Sequence, residues 1–338
     1  MVKEKYLRIR QIIFVVGIGI LVVIILVVSL LMGLDKSGHG TLDGSSSTIT
    51  VSGTHELTGS YQCLKVNTLH DVRLILNDAI ITCDTGPAIY IEESGDVEIV
   101  LKGENLITVT TTEEFEGAIH SKEDLVLSGD GNLTINSNYD GIVGRDNVVI
   151  EGGNYTIDAE YDGIKAKDDL TINGGAFTIR NLDDGLKAKG KVEINGGTFE
   201  LNSYEGIEAT YILINDGKLS IKATDDGMNA GAKSDAYDIA IEINGGEITI
   251  DMGTGDTDAI DSNGDLKITG GTIVIVAQSP FDYDGKVTFT GGTVTVNGVE
   301  VTKITNQIMG DPGEMPGGAQ GGMPGGPDGM PGGDDRNF

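Results

Sequence analysis

The amino-acid sequence predicts an all-β protein, a right-handed parallel β-helix of about 12 coils with about 22 residues each, preceded by one transmembrane helix. Three observations support this prediction: a charge-free apolar run near the N-terminus, a glycine-containing repeat, and alternation of apolar and polar residues inside each repeat. Each repeat then buries its apolar side against the copies before and after it, as in other solenoids.

The first element is a membrane anchor. Residues 12–32 form a segment without a charged residue, and this segment is long enough to span a bilayer. Lys3, Lys5, Arg8 and Arg10 precede it. The positive-inside rule places the basic stub, residues 1–11, in the cytoplasm and the rest of the chain outside. The sequence therefore predicts a single-pass cell-membrane protein with an extracellular β-helix, and a signal peptide is the alternative.

Two sequence markers share one period after a polar linker at residues 33–47. The first is a Gly-Gly or Asp-Gly pair, whose second glycine is Gly153, Gly175, Gly197, Gly217, Gly246, Gly271 or Gly292. The second is an acidic residue followed by Gly or Ala, at Glu116, Asp140, Asp162, Asp184, Glu205, Asp226 and Asp258. Two independent markers with a common period predict a solenoid over residues 48–305, with insertions at residues 231–238 and 254–257.

Within one repeat the apolar period is two, which predicts three short strands per coil. In one unit the apolar positions are Ile164, Ala166, Leu170, Ile172, Phe177 and Ile179. The right hand is expected from the crossover chirality of parallel strands. An asparagine precedes several glycine pairs, and this column predicts an amide ladder at Asn173, Asn195, Asn215 and Asn244.

The cysteines and the C-terminal tail give no support for a catalytic nucleophile. Cys63 and Cys83 lie about one coil apart, which allows a disulfide in an oxidising compartment and equally allows two separate buried thiols. No histidine accompanies either cysteine in the sequence, so a cysteine nucleophile is not supported. Residues 306–338 repeat Met-Pro-Gly-Gly and are predicted to be a disordered tail.

The charge balance excludes one class of partner and suggests a cation. With 52 acidic and 23 basic residues the net charge is −29, so nucleic acid is not an expected partner. Equivalent carboxylates on successive coils lie about 4.8 Å apart, and like charges at that distance favour binding of a cation. Calcium suits a cluster of carboxylate oxygens, whereas the alternative is that each Asp-Gly pair only forms a turn.

The doubled acidic pairs on either side of Glu205 are the strongest candidates for this calcium site. The predicted metal ligands are Asp162, Asp183, Asp184, Glu205, Asp225, Asp226, Asp258 and Asp261. Two residues beyond each glycine, a further column is expected to face solvent beside these acids, and it includes Lys165, Lys187, Glu208 and Asn229. Tyr161 and Tyr204 precede acidic residues and are candidate platforms for sugar rings.

The ordered motifs of the repeats are similar to those of a known family. The runs YDGIKAKDDLTINGGAFTI, SYEGIEA, TDDGMNAGA and DAIDSNGDLKITGG resemble the carbohydrate-binding-domain family of exported bacterial right-handed parallel β-helices. The resemblance covers residues 48–299 and the Met-Pro-Gly tail. It implies binding of cellulose and polygalacturonate, bound calcium, and a calcium or ligand site at Asp183, Asp184, Glu205, Glu208, Asp225, Asp226, Asn229, Asp258 and Asp261.

One insertion differs from the family pattern. The sequence AGAKSDAYD follows the D-D-G-x-N-A motif, and it adds Asp235 and Asp238 to the candidate ligands.

The sequence therefore predicts a cell-surface, non-catalytic polysaccharide-binding protein, in which calcium bridges carboxylates to pectate-like or cellulosic plant cell-wall glycans. One alternative is a calcium-dependent pectate lyase with Lys187 or Lys165 as the base, although the lysines are expected mainly to neutralise neighbouring carboxylates. The other alternative is a structural adhesin that needs calcium for stability.

Overall fold

The computed structural model describes residues 47–111, 117–253 and 257–306. The predicted stub, the anchor, nearly all of the linker and the tail beyond residue 306 lie outside the described residues, as do Glu116 and most of the second predicted insertion. Within the described ranges, no helix has the length and apolar character needed to cross a membrane.

The described residues form 32 strands. The N-terminal coils contain β1 (Ser47–Ile49), β2 (Gly53–Gln62), β3 (Leu64–Asn67), β4 (Val72–Cys83), β5 (Ile89–Glu93), β6 (Val97–Lys102), β7 (Glu104–Val109), β8 (Ile119–Ser121), β9 (Leu125–Gly129), β10 (Asn132–Ser137) and β11 (Ile142–Gly144). The middle coils contain β12 (Val148–Ile150), β13 (Asn154–Ala159), β14 (Ile164–Ala166), β15 (Leu170–Ile172), β16 (Ala176–Arg180), β17 (Asp184–Ala188), β18 (Lys191–Ile194), β19 (Thr198–Ser203), β20 (Glu205–Ala209), β21 (Tyr211–Ile214) and β22 (Lys218–Ala223). The C-terminal coils contain β23 (Met228–Ala230), β24 (Ala240–Ile243), β25 (Glu247–Met252), β26 (Ile260–Ser262), β27 (Asp265–Ile268), β28 (Thr272–Val276), β29 (Asp282–Tyr283), β30 (Val287–Phe289), β31 (Thr293–Val296) and β32 (Val299–Val301).

These strands stack into three faces of a parallel solenoid. The first face is an 11-stranded sheet, in the order β1, β3, β5, β8, β11, β14, β17, β20, β23, β26, β29. The second face begins with the N-terminal parts of β2 and β4 and continues through β6, β9, β12 and every third strand to β30. The third face begins with the C-terminal parts of β2 and β4 and continues through β7, β10, β13 and every third strand to β31. Because β2 and β4 pass through both of these faces, they join them into one 21-stranded sheet.

The solenoid has about 11 turns, one fewer than predicted. The prediction applied the spacing of the central repeats to the whole length. In the N-terminal coils the equivalent residues Lys65, Tyr90 and His120 are further apart in sequence than that spacing. The antiparallel strand β32 ends the third face by pairing with β31. The right hand of the coil stays a prediction.

The predicted alternation inside each repeat is confirmed. Ile164, Ala166, Leu170, Ile172, Phe177 and Ile179 are all buried in one continuous core. Aromatic rings also stack from coil to coil, with centroids 5.0 Å apart for Tyr155 and Phe177 and 4.8 Å apart for Phe177 and Phe199. Each coil therefore depends on its neighbours for burial of its apolar side chains.

The predicted amide ladder is also confirmed. Nδ2 of Asn195 donates to Oδ1 of Asn173 at 2.9 Å, and Nδ2 of Asn215 donates to Oδ1 of Asn195 at 2.7 Å. Asn244 continues the ladder with a 3.1 Å bond to Asn215. Gly197, at the same corner, has a φ of 108°, a left-handed conformation that favours glycine.

Two further features bear on the arrangement of the coils. Cys63 and Cys83 form a disulfide with Cα atoms 4.9 Å apart, which settles the alternative that the sequence left open. The first predicted insertion is confirmed, because the chain leaves the solenoid between the end of β23 at Ala230 and the start of β24 at Ala240. We refer to residues 231–239 as the insertion loop.

Candidate cation and glycan site

The candidate site lies along the first face, where successive coils bring equivalent acidic residues together. Asp184 and Glu205 are register partners, which confirms that the acidic marker stacks from coil to coil. We call the set Asp140, Asp162, Asp184, Glu205, Asp226 and Asp258 the acidic column. Beside it runs the outward column, in which register pairs join Lys165, Lys187, Glu208, Asn229 and Asp261.

Part of the acidic column connects the backbones of adjacent coils. The amide nitrogen of Asp162 donates to Oδ1 of Asp140 at 2.9 Å, and that of Asp184 donates to Oδ1 of Asp162 at 3.1 Å. The amide of Asp258 donates to Oδ1 of Asp226 at 3.2 Å. These carboxylates therefore satisfy a backbone donor of the following coil, whereas the turn alternative had each aspartate capping its own backbone.

Lysines of the outward column neutralise the first half of the acidic column. Nζ of Lys165 lies 2.9 Å from Oδ2 of Asp162, and Nζ of Lys187 lies 2.5 Å from Oδ2 of Asp184 and 2.7 Å from Oε2 of Glu208. This confirms the expected neutralisation. The expectation that these lysines face solvent is wrong, because their side chains are only 13% and 20% exposed and lie between carboxylates.

These ion pairs govern the charge state of the lysines. Burial alone favours the neutral amine, but the carboxylates of Asp162 and Asp184 outweigh it and raise the pKa of Lys187. The pKa of Lys165 is raised for the same reason, by Asp162 and Asp140 against the effect of burial. Both amines are therefore protonated near neutral pH, the form that cannot accept a proton.

The insertion loop brings a third lysine to the column. Nζ of Lys233 forms an ion pair with Oε1 of Glu208, and the loop backbone at Lys233 donates to Oγ1 of Thr210 at 3.0 Å. At the other end of the loop, the hydroxyl of Tyr237 donates to Oδ2 of Asp169 at 2.5 Å. Although burial raises the pKa of Glu208, Lys187 and Lys233 lower it to about 2.

Glu205, Asp225 and Asp226 form a group without such a lysine. Their ligand oxygens lie within 4.8 Å of one another, and no lysine or arginine of the described ranges forms an ion pair with them. Burial, followed by the charges of Glu208 and Asp226, raises the pKa of Glu205 to about 8. Burial, followed by the charge of Asp261, raises the pKa of Asp226 to about 7.

Two buried oxygens beside this group lack a hydrogen-bond donor among the described residues. They are Oε2 of Glu205 and Oδ1 of Asn229. Nδ2 of Asn229 lies 3.4 Å from Oε1 of Glu205, so the amide and the carboxylate are neighbours. Buried oxygens are ordinarily satisfied by a donor, and a bound cation satisfies them equally well.

The other predicted metal ligands fall outside this group. Asp162, Asp183 and Asp184 form a second carboxylate group, in which Lys165 and Lys187 form ion pairs with Asp162 and Asp184. Asp184, Glu205 and Glu208 form a third group, in which Lys187 forms ion pairs with Asp184 and Glu208. Asp258 accepts a hydrogen bond from Oγ of Ser279. Burial, followed by the charge of Asp282, raises the pKa of Asp261 to about 6. Asp235 and Asp238 are exposed on the insertion loop.

Aromatic and apolar side chains accompany the acidic column. Tyr161 packs against Tyr139, with ring centroids 5.7 Å apart. Tyr204 lies on the coil between Asp183 and Asp225 and is 44% exposed; burial and a hydrogen bond to Asp225 raise its pKa. The sequence prediction missed two residues, Leu182 and Lys233. Leu182 is 76% exposed and precedes Asp183. The only sequence feature that could have identified Leu182 is its position as an apolar residue among polar neighbours.

A protein-family model described as carbohydrate-binding domain-containing protein matches residues 43–297, well over half of the chain. The chain belongs to this carbohydrate-binding domain family. The predicted resemblance is therefore confirmed, and membership supports a polysaccharide partner in general terms.

One curated protein and one solved structure are similar to this carbohydrate-binding domain protein. A carbohydrate-binding domain-containing protein from Acetivibrio thermocellus is 27% identical over 132 residues, which are 33% of this chain and 46% of that relative. The match thus spans less than half the length of the relative. A solved structure of the polysaccharide lyase-like protein from C. thermocellum, a gadolinium derivative, is 24% identical, with 77% of this chain and 88% of that chain covered and a TM-score of 0.43.

Proposed function

We propose that this protein binds an anionic polysaccharide, such as a pectate-like plant cell-wall glycan, through a calcium ion held by Glu205, Asp225 and Asp226. The observation that supports this most strongly is a group of three carboxylates, within 4.8 Å of one another, that forms no ion pair with a lysine or arginine of the described ranges. In the N-terminal half of the acidic column, Asp162 and Asp184 are instead paired with Lys165 and Lys187.

The donor atoms at this group fit calcium. Calcium takes six to eight oxygen ligands, and carboxylate and amide oxygens are its usual protein ligands. Glu205, Asp225, Asp226 and the amide oxygen of Asn229 supply such a set, and two of these oxygens are buried without a donor from any described residue. A bound dication offsets the burial and the repulsion that raise the pKa values of Glu205 and Asp226.

The proposed ion also explains how an acidic protein binds an acidic glycan. Direct contact between two polyanions is repulsive, and this chain carries a net charge of −29. Calcium with open coordination positions attracts the carboxylates of a uronate chain. The exposed ring of Tyr204 and the exposed side chain of Leu182 then offer apolar contacts to the sugar rings.

We place the solenoid outside the cell, as residues 12–32 predict. The Cys63–Cys83 disulfide supports this location, because disulfides persist in oxidising compartments and are rare in the cytosol.

Retention on immobilised polygalacturonate tests the proposal. Wild-type protein is expected to bind in calcium and to elute with a chelator, whereas Asp225→Asn is expected to bind at least about tenfold more weakly in calcium. Asp251→Asn, an exposed acid on the third face, removes the same charge and is the matched control. Retention that a chelator leaves unchanged would overturn calcium bridging.

The lyase alternative is disfavoured by the charge state of its proposed bases. Lys187 and Lys165 are held protonated by neighbouring carboxylates, and a β-elimination requires a neutral amine to take the proton. Ultraviolet absorbance of unsaturated uronate, after incubation with polygalacturonate and calcium, would nevertheless establish the lyase. Calcium-dependent melting without any glycan retention would instead favour the structural adhesin.

A further inference from the structure

Two lysine ammonium groups of the outward column act as cations for the acidic column. Nζ of Lys165 lies 2.9 Å from Oδ2 of Asp162 on its own coil and 3.8 Å from Oδ2 of Asp140 on the preceding coil. Both carboxylates are buried. The ammonium therefore bridges two successive coils and supplies the positive charge that stacked, buried carboxylates require.

Lys187 makes a similar bridge one coil later. Its Nζ lies 2.5 Å from Oδ2 of Asp184 on its own coil and 2.7 Å from Oε2 of Glu208 on the following coil. Ligand oxygens of Asp184, Glu205 and Glu208 lie within 4.8 Å of one another, so any two of them can lie about 2.4 Å from one central metal ion. At this coil the spacing that suits a metal ion is used by an ammonium.

Asn229 occupies the outward position of a later coil. Its own coil carries Asp226 three residues earlier, and the preceding coil carries Glu205, which is the relation that Lys165 has to its two carboxylates. The side chain of Asn229 is shorter and uncharged. Its Nδ2 lies 3.4 Å from Oε1 of Glu205, and its Oδ1 is buried without a donor from any described residue. A neutral amide thus stands where Lys165 provides a cation.

The coil before Asn229 does not supply the charge either. Its outward residue is Glu208, which forms ion pairs with Lys187 and with Lys233 of the insertion loop. Within the described ranges, neither of these lysines forms an ion pair with Glu205. The two nearest ammonium groups are therefore used by Glu208, and the carboxylates beside Asn229 depend on another cation.

We infer that the outward residue decides which cation each coil holds: an internal ammonium at Lys165 and Lys187, and a dissolved divalent cation at Asn229. This inference rests on the proposed function, because it assumes the calcium ion described there. It adds the reason why the ion binds at this coil. An ammonium donates only three hydrogen bonds, whereas calcium takes six to eight ligands and keeps positions for a uronate. Calcium-mediated glycan contact is therefore confined to the coils around Asn229.

The exchange of Asn229 for lysine tests the inference. Asn229→Lys is expected to bind calcium at least about tenfold more weakly than wild type, since an ammonium then bridges Asp226 and Glu205. For the same reason its melting temperature in chelator is expected to rise by about 2 to 4 °C. Asn202→Lys makes the same change at an exposed position of the third face and is the matched control.

Two further variants separate the effect of charge from that of side-chain size. Asn229→Met adds length without charge, so it is expected to weaken calcium binding without raising the melting temperature in chelator. Lys187→Asn is the reciprocal exchange and is expected to bind one more calcium ion per chain than wild type, with Lys222→Asn as its exposed control. If Lys187→Asn does not fold, the Asn229 variants decide the question.

Calcium affinity and stoichiometry are measured by calorimetry on the full-length chain, and retention on polygalacturonate is measured beside them. Unchanged calcium affinity in Asn229→Lys, or equal stabilisation in chelator by Asn229→Met, would overturn the inference and leave calcium bridging intact. Weaker calcium binding by Asn229→Lys, with glycan retention that calcium does not affect in any variant, would overturn calcium bridging and support the inference. A wild-type protein that binds no calcium would overturn both.

Discussion

The amide nitrogen of Asp184 donates a hydrogen bond to Oδ1 of Asp162, 3.1 Å away on the preceding coil. The other oxygen of Asp162 lies 2.9 Å from Nζ of Lys165. One buried carboxylate thus joins the backbone of the next coil to a lysine of its own coil. Further along the same column, Glu205 has no ion pair with a described lysine and its Oε2 has no described donor. The same sequence marker is therefore fully paired within the protein at Asp162, whereas at Glu205 it leaves a buried carboxylate oxygen without a described donor.

Removal of the Asp162 carboxylate should destabilise the solenoid. Asp162→Ala leaves the Asp184 amide without its acceptor and the buried Lys165 ammonium without its closest partner. We expect a loss of about 3 kcal/mol in the free energy of unfolding. Asp162→Asn keeps an oxygen for the amide and removes only the charge, so its loss should be smaller.

Chemical denaturation in chelator measures both effects, and Asp251→Ala serves as an exposed control. If Asp162→Ala and Asp251→Ala unfold at the same denaturant concentration, the structural role of this carboxylate is refuted.

The repeat pattern predicted the aligned residues of the site well. Equal spacing of acid-glycine pairs is enough to place Asp184 beside Glu205, because each coil returns the chain to the same position. The alternation around Lys165 and Lys187 also identified which residues point away from the apolar core, although it did not predict that the two lysines lie largely buried between carboxylates. In both cases the relevant geometry is set by a period that is visible in the sequence.

Contacts that do not follow the period could not be predicted. Lys233 reaches Glu208 from the insertion loop, whose conformation depends on its own bonds to Thr210 and Asp169. The burial of Lys187 was missed for a similar reason, since it depends on carboxylates of two other coils. The number of turns was overestimated because the N-terminal coils are longer than the central ones.

The metal-free protein should become more stable on mild acidification. The pKa values of Glu205 and Asp226 are raised to about 8 and about 7, against ordinary values of 4.5 and 3.8. The folded chain therefore binds these protons more tightly than the unfolded chain. The resulting stability is present at low pH and is lost as the pH rises through the folded values. Glu208, with a pKa of about 2, loses its contribution only on acidification below about 4.5.

Melting temperatures between pH 5 and pH 8 in chelator measure this effect. We expect them to rise as the pH falls through this range, and saturating calcium should weaken or reverse the trend, because protons then compete with the ion. A melting temperature in chelator that falls steadily from pH 8 to pH 6 would show that the folded protein does not bind protons at these carboxylates more tightly than the unfolded chain does.

Loss of the disulfide should loosen the N-terminal coils selectively. Cys63→Ser with Cys83→Ser removes a covalent link between the first two coils. This disulfide closes a loop of about 20 residues and is expected to contribute about 3 kcal/mol to the free energy of unfolding. Because coils contact only their neighbours, the effect should be local. Amide hydrogen exchange should accelerate in β1 to β4 and stay unchanged in β17 and β20. Uniform acceleration along the chain would instead indicate that the solenoid unfolds as a single unit.

Tyr204 should contribute to glycan affinity without contributing much to stability. Its side chain is 44% exposed, whereas Tyr161 also packs against Tyr139, so Tyr161→Ala is expected to reduce both affinity and stability. We expect Tyr204→Ala to weaken polygalacturonate binding about fivefold to tenfold, the effect of losing one stacked ring, with little change in melting temperature. Val276→Ala, at a 48% exposed position on the third face, is the control.

The hydroxyl of Tyr204 complicates this experiment, because it is hydrogen-bonded to Asp225, one of the proposed calcium ligands. Tyr204→Phe removes the hydroxyl and keeps the ring. If the ring contacts sugar, Phe should retain wild-type glycan affinity in saturating calcium while Ala should not. If Tyr204 acts only by orienting Asp225, both variants should weaken calcium binding to the same extent, and saturating calcium should restore glycan affinity to both. The comparison therefore distinguishes a direct contact with the glycan from an effect on the ion.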